Sequence, residues 1–365
     1  MSEPSLTVVI VAHESLVDLR YTLPLLAAEL GPADELIVVD NASHDGLAEA
    51  LPDLAPRALL VGLNQNVGFA AGANAGVTAA TGDLVVLLNP DAAVEPGWGE
   101  AIREPWGGRF AAWMGLVLLE NGTKINTSGG VIHFTGFGWA GQIDERRDAA
   151  PKAPAEVGFV SGACFAVPRA VWNETGGFPE RFFMYCEDVD LSLRLRLRGG
   201  VLGVVPQAVV IHDYSFEKGS YKWRLLERNR LATVIRTYPT SVLLAVFPAL
   251  LVAEIGIWAV AARGGWLRAK AQSALDIIRS LPDLIAERRA IQVTSRIDSA
   301  TFARSFVAGL DSPHFGAVGR QPVVRASMSV YWKLCLTILR IVSRPAERAL
   351  GPHPHTRRIP VRRRR

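Results

Sequence analysis

Residues 6–12 read Leu6-Thr7-Val8-Val9-Ile10-Val11-Ala12, an unbroken apolar and β-branched run. A strand with no polar face is covered on both sides, as in the middle of a parallel sheet. Helical spacing follows at Leu16, Leu19, Leu23, Leu26 and Leu30, and stops at Gly31-Pro32. Glu35 to Asp40 reads as a second strand, Arg57 to Leu63 as a third, residues 68–81 as an Ala/Gly-rich helix, and Leu84 to Leu88 as a fourth strand. Strands alternating with helices predict a doubly wound α/β sheet. Ligands of such sheets bind beyond the carboxyl ends of the strands, where Asp40, Asn64 and Asp91 stand. From about residue 107 to 167 the pattern turns strand-rich and irregular, and is expected to form the acceptor-side half.

The residues with chemical potential lie at these strand ends and in one acidic cluster. Val38-Val39-Asp40-Asn41-Ala42-Ser43 places a carboxylate where a base N–H or a ribose hydroxyl can donate to it. Alternatively Ser43 or Asn41 caps the next helix. Residues 64–76, with Asn66, Gly68, Gly72, Asn74 and Gly76, form a glycine-rich turn into a helix. Small residues admit a nucleotide to the backbone, or simply allow tight packing. Asn89-Pro90-Asp91 offers one carboxylate to a hard cation such as Mg²⁺, which typically takes one or two carboxylates plus substrate phosphates. His212 ends another apolar run and can return to the metal or to the leaving phosphate. Lys218, Lys222, Arg224, Arg228 and Arg230 read either as a phosphate clamp or as a solvated helical face.

Glu187, Asp188 and Asp190 crowd three carboxylates behind the aromatic run Phe182-Phe183-Met184-Tyr185. Such crowding is unfavourable unless a cation, a proton or a helix N-terminus offsets it. The leucines from Leu191 to Leu197 alternate with Ser and Arg at strand period. Yet acids open the segment, arginines close it and Gly199-Gly200 follow, so 187–198 is predicted helical, with an Asp190–Arg194 pair.

Charge is divided along the chain. Residues 1–262 hold 19 Lys/Arg against 29 Asp/Glu, a net of −10; residues 263–365 hold 20 against 6, a net of +14. Three cysteines show no metal or disulfide spacing, which predicts a reduced, intracellular chain. Residues 241–262 are long and apolar enough for a membrane span, but carry Pro248 and Glu254. A single crossing would put the basic tail outside, against the positive-inside tendency. The expectation is an interfacial helix or a re-entrant pair at the cytoplasmic face, peripheral or monotopic, on an anionic membrane surface. Residues 266–291 and 328–343 continue the amphipathic style, and 346–365 reads as a basic disordered tail.

The ordered motifs V-V-D-N-A-S, N-x-G-F-A-x-G-x-N, L-N-P-D, G-G-F-x-E-x-F-F-x-Y-x-E-D-V-D-L and H-D resemble family 2 glycosyltransferases of GT-A fold, in particular the rhamnosyltransferase-like branch. The resemblance covers about residues 6–237. It implies a Rossmann-like nucleotide-sugar-binding domain with a mixed sheet, followed by membrane-associated helices over 238–345. It implies nucleotide-side roles for Asp40, Asn41, Asn66, Gly68, Asn74 and Asn89, Mg²⁺ or Mn²⁺ on Asp91 with His212 nearby, and Asp188 as catalytic base supported by Glu187. The implied donor is a nucleotide sugar such as dTDP-L-rhamnose. The implied acceptor is a polyprenyl-diphosphate-linked sugar or glycan; nucleic acid is not an expected partner. Asn89 stands where the pattern has the first acid of Asp-x-Asp. That departure motivates the competing reading of a non-catalytic nucleotide-sugar binder, against which the intact Glu187-Asp188 pair argues.

Overall fold

The computed structural model describes residues 3–213, 219–312, 315–316 and 321–349. The first half runs β1 (Leu6–Ala12), α1 (Leu16–Glu29), β2 (Glu35–Asp40), α2 (Leu47–Leu54), β3 (Leu59–Gly62), α3 (Gly68–Ala79) and β4 (Leu84–Leu88). Next come β5 (Ala93–Val94), α4 (Trp98–Ala101), β6 (Phe110–Leu119), β7 (Lys124–Thr127), β8 (Gly130–Ile132), β9 (Gly138–Ala140), β10 (Ala155–Glu156), β11 (Cys164–Pro168), α5 (Arg169–Thr175), α6 (Glu187–Leu197) and β12 (Val201–Ile211). The chain continues through α7 (Gly219–Thr237), α8 (Thr240–Arg263), α9 (Leu267–Gln292), α10 (Ser299–Ala303) and α11 (Pro322–Ala349).

The main sheet has the order β10-β12-β6-β11-β4-β1-β2-β3. β1 pairs in parallel with β2 and β4, with Ala12 opposite Asp40 and Ile10 opposite Leu88. The carboxyl ends of these strands therefore share one edge of the sheet. β11 runs antiparallel to both β4 and β6, which makes the sheet mixed, as expected. The all-apolar reading of β1 holds, because every residue in it is buried. α3 lies on that strand through its small residues. A Cβ on Gly72 would come 2.7 Å from Val11 Cγ1, and one on Gly76 would come 2.3 Å from Val9 Cγ1. Those two glycines serve helix–sheet packing.

The predicted elements differ from the observed ones mainly at their ends. The third strand is Leu59–Gly62, shorter than the apolar run. α3 stops at Ala79 because Thr81 and Gly82 turn back onto Glu35 and Thr7, with Thr81 N donating to Glu35 Oε2 at 2.9 Å and Gly82 N to Thr7 Oγ1 at 3.1 Å. Residues 187–197 are helical; the leucine alternation misleads because nearly the whole helix is buried, so no single apolar stripe is needed. Residues 240–263 form one continuous helix with Pro248 inside it, so this segment is not a re-entrant pair. α11 continues to Ala349; the rest of the basic tail, from 350, lies outside the described residues, as does Lys218.

Glu254, anomalous in an apolar run, is paired. Lys270 Nζ of α9 lies 2.7 Å from Glu254 Oε2 and 2.6 Å from Glu227 Oε2 of α7. Arg230 bonds both Glu227, at 3.0 Å, and Glu254. This buried network fastens α7, α8 and α9 to one another. Arg230 also donates to Thr135 O at 3.1 Å and lies over the Phe137 ring, tying the three helices to the β8–β9 connection.

Candidate active site

The site forms at the shared strand edge. Asn41 follows β2 and is buried. Its Nδ2 donates to Asn66 Oδ1 at 3.0 Å, and its Oδ1 accepts from Val67 N at 2.9 Å. Asn66 Oδ1 also accepts from Gly68 N at 2.9 Å. These bonds fix the glycine-rich turn against the end of β2. Asp40 Oδ1 accepts from Ser43 N at 2.8 Å. Neither Ser43 nor Asn41 caps the next helix, which starts at Leu47 after Gly46. Gly68 has φ +81°, and a Cβ there would come 2.4 Å from Phe183 O; only glycine fits both constraints. Asn74 sits further along α3. Its amide is spent on the loop before the acidic helix, donating to Phe178 O at 3.0 Å and accepting from Phe178 N at 2.9 Å.

The second group assembles around His212. Its Nε2 lies 3.1 Å from Asp91 Oδ1 and 3.3 Å from Asn89 Nδ2. The imidazole is buried, whereas the Asp91 carboxylate is 42 % exposed and faces solvent. Asp18 of α1 lies close enough that Asp91 adds to the effect of its partial burial in raising the Asp18 carboxyl. Thr22 of the same helix donates to Pro90 O at 2.8 Å. Among the described residues no cluster of three His, Cys, Asp or Glu makes an all-protein metal cage. One carboxylate and one imidazole, beside an amide, instead suit a divalent cation whose remaining ligands are phosphate and water.

The third group is the start of α6. Burial pushes the Asp188 carboxyl up from its ordinary range, opposed by backbone hydrogen bonds. Asp188 Oδ2 accepts from Gly162 N at 3.0 Å and Oδ1 from Val189 N at 2.7 Å. Glu187 is buried, and its Oε2 has no hydrogen-bond partner among the described residues. Burial first, then the neighbouring Asp188 charge, holds its carboxyl well above the ordinary range. Asp190 belongs to the scaffold: Arg194 Nε binds it at 2.7 Å, as the i,i+4 spacing predicts, and Arg236 Nη1 at 2.9 Å.

The segment Gly162-Ala163 joins two of these groups. Gly162 N holds Asp188, Ala163 O accepts from Asn89 N at 3.2 Å, and a Cβ on Gly162 would come 3.4 Å from the Phe69 ring of α3. No signal in the sequence marked this turn. Asp18 and Asn229 were missed as well. Asn229 has neighbours that were noticed, Arg228 and Arg230, but the clamp and solvated-face readings both misjudge them. Arg224 pairs with Asp276 at 2.8 Å, Arg228 donates to main-chain carbonyls, Arg230 enters the buried network, and Lys222 is buried beneath Tyr185.

A mixed sheet in which β1 pairs in parallel with β2 and β4 while β11 runs antiparallel beside β4 is the architecture of GT-A glycosyltransferases. The structure of GalNAc-T7 with UDP, GalNAc and Mn²⁺ shares the fold, with a TM-score of 0.54 at 17% identity over 64% of this chain and 48% of that one. The family model "Glycosyl transferase family 2" matches residues 7–174, and "Glycosyl transferase family group 2" matches 148–267. The chain belongs to the family 2 glycosyltransferases. It is 28% identical over 228 residues to N-acetylglucosaminyl-diphospho-decaprenol L-rhamnosyltransferase of Mycobacterium tuberculosis, covering 55% of this chain and 73% of that protein. It is 30% identical over 224 residues to the O-antigen biosynthesis protein RfbC of Myxococcus xanthus, covering 57% of this chain and 17% of that protein.

Proposed function

We propose that the protein transfers L-rhamnose from dTDP-L-rhamnose to a sugar carried on polyprenyl diphosphate, with inversion at the anomeric carbon. The donor and acceptor classes are supported by the names of the relatives. The observation that carries the mechanism is the Gly162-Ala163 turn, which holds the Asp188 carboxylate with one residue and the Asn89 main chain with the next. Asp188 takes the proton of the acceptor hydroxyl as that oxygen attacks the anomeric carbon. The bond from that carbon to the nucleotide diphosphate breaks, and its electrons leave with the diphosphate. Asp40 and Asn41 hold the nucleoside end, with Asn66 and Gly68 shaping the turn beside it. Asn74 acts as a strut between α3 and the loop before α6. Asp91 and His212, with Asn89 beside them, would hold Mg²⁺ or Mn²⁺, which neutralises diphosphate charge when bound. Glu187, buried directly before Asp188 with its own carboxyl raised by burial, supports the base from the adjacent position.

The helices after Tyr238-Pro239 dock the enzyme on an anionic membrane. α8 is the one helix among the described residues long and apolar enough to cross a bilayer. Its Leu244, Phe247, Leu251, Val252 and Ile255 are exposed, as are Ile278 of α9 and Leu334 and Ile341 of α11. The ion pairs at Glu254 attach the middle of α8 to α7 and α9, and a spanning helix would carry that network into hydrocarbon. Burying one face while the base-bearing domain stays in water reconciles both observations.

The test is incubation with dTDP-L-rhamnose, Mn²⁺ and a synthetic polyprenyl-diphospho-N-acetylglucosamine. The expected product carries one added rhamnose of inverted anomeric configuration by NMR. Retained configuration, or release of free rhamnose without transfer, would overturn the proposal.

A further inference from the structure

We infer that Asn229 is a positioning residue for the base, holding the strained loop that aims Asp188; the inference rests on the reading of Asp188 as that base. The chain enters α6 through a segment that L-residues adopt reluctantly. Phe183 (φ 64°), Tyr185 (φ 73°) and Cys186 (φ 64°) all have left-handed backbone angles. At Phe183, with ψ −65°, Met184 N donates back to Phe182 O at 2.7 Å, closing a γ-turn of the rare, strained hand. Three such residues within a stretch of four persist only when their surroundings over-determine them.

One side chain supplies most of that determination. Asn229, fully buried on α7, directs Nδ2 at three main-chain oxygens of the loop: Phe182 O at 2.9 Å, Met184 O at 2.9 Å and Tyr185 O at 2.8 Å. Its amide has only one productive orientation. Arg228 Nε donates to Asn229 Oδ1 at 2.9 Å, which forces the NH₂ group toward the loop. Arg228 Nη2 adds bonds to Arg181 O at 3.0 Å and Phe182 O at 2.8 Å. On the opposite side of the loop, Phe183 O accepts from Ala70 N of α3 at 3.0 Å. The loop is thus pinned between the donor-side turn and α7, and Asp188 follows it by two residues. The same turn of α7 carries Glu227 and Arg230, whose ion pairs reach α8 and α9. The aim of the base is therefore set by the helix that also anchors the apolar helices.

The experiment compares full-length Asn229→Ala, Asn229→Asp and the milder Arg228→Met with Asp188→Asn and wild type. Transfer is read from dTDP-L-rhamnose to polyprenyl-diphospho-N-acetylglucosamine, dTDP/Mn²⁺ binding by calorimetry, and amide exchange over residues 183–189 by mass spectrometry. Misaiming by about 1 Å loses on the order of a hundredfold in turnover. Asn229→Ala and Asn229→Asp should therefore lose about ten- to a hundredfold in kcat, with donor KM and dTDP stoichiometry nearly unchanged. Exchange at 183–189 should rise while β1 and β4 stay protected. Asp188→Asn with Asn229→Ala should be no slower than Asp188→Asn alone, because Asn229 acts through the base. Unchanged loop exchange in Asn229→Ala, or dTDP stoichiometry falling in step with kcat, would overturn the inference. Wild-type turnover in Asn229→Ala beside an inactive Asp188→Asn would overturn it while leaving the base in place. Wild-type turnover in Asp188→Asn would instead remove the base reading, and loop exchange alone would then decide the structural part.

Discussion

His212 Nε2 lies 3.1 Å from Asp91 Oδ1, although the two residues follow strands β12 and β4, which β6 and β11 separate in the sheet. The short strand β5 closes that gap. Directly after Asp91 it pairs with the end of β12, Val94 opposite Val210 and Ala93 opposite Ile211. The main chain thereby delivers both side chains to one point.

Asp91→Ala and His212→Ala should each weaken dTDP binding about tenfold or more in the presence of Mn²⁺, the scale on which metal-site substitutions act. Neither should alter the weaker binding measured in EDTA. Titration calorimetry with and without the chelator checks both; equal losses in the two conditions would mean that these side chains touch the nucleotide directly.

Glu187→Gln should stabilise the fold at neutral and alkaline pH. Burial and the adjacent Asp188 charge raise the Glu187 carboxyl in the folded state. The wild-type side chain therefore imposes no penalty below the ordinary carboxyl range, and a growing one as pH rises toward its folded pKa. The gain from glutamine should be present at pH 8 and vanish near pH 4. Urea denaturation at the two pH values measures it.

Transfer should need Asp188 ionised, and burial raises that carboxyl. The acid limb of kcat should therefore lie above the ordinary carboxylate range, with activity lost as pH falls through it. A pH–rate profile from 4 to 9 is the check, and an acid limb at or below pH 4 would be inconsistent with the buried base.

Much of this was legible in the sequence because it is local. A strand apolar at every position reported two covered faces, and strand-end residues reported the binding edge. Acids before Arg194 and Arg196 marked the direction of α6 despite its leucine alternation. Contacts between distant segments left no such trace. Gly162 is one glycine among 33, and nothing adjacent to it signals that its N–H will hold Asp188. Asn229 lies in a basic run that looks solvated, because a sequence does not show main-chain carbonyls turned outward by a strained loop. Glu254 looked like an obstacle to membrane insertion, since its partners Lys270 and Arg230 come from other helices.

Lys270→Met should destabilise the protein by about 1–3 kcal/mol, less than for a fully stranded buried charge, because Glu227 and Glu254 lose one of the two cations they share and keep only Arg230. Adding Glu254→Leu should recover part of the loss, since Arg230 is then left with one carboxylate partner instead of two. Thermal denaturation of the single and double variants separates the outcomes; a double variant less stable than Lys270→Met would contradict the pairing.

Phe247→Glu with Ile255→Glu should release the protein from vesicles of anionic phospholipid without lowering its melting temperature, because both side chains are exposed. Wild type should stay bound in 1 M NaCl, where charge attraction is screened and apolar contact is not. Vesicle co-sedimentation reads both.

The account rests most heavily on Asp188 as the base of sugar transfer. Its most direct test is single-turnover transfer from dTDP-L-rhamnose by Asp188→Asn, beside calorimetric binding of dTDP and Mn²⁺. The substitution preserves shape and removes proton acceptance, so transfer should fall by about 10²- to 10⁴-fold while nucleotide affinity stays within about threefold. Transfer at the wild-type rate with equal nucleotide binding would contradict it.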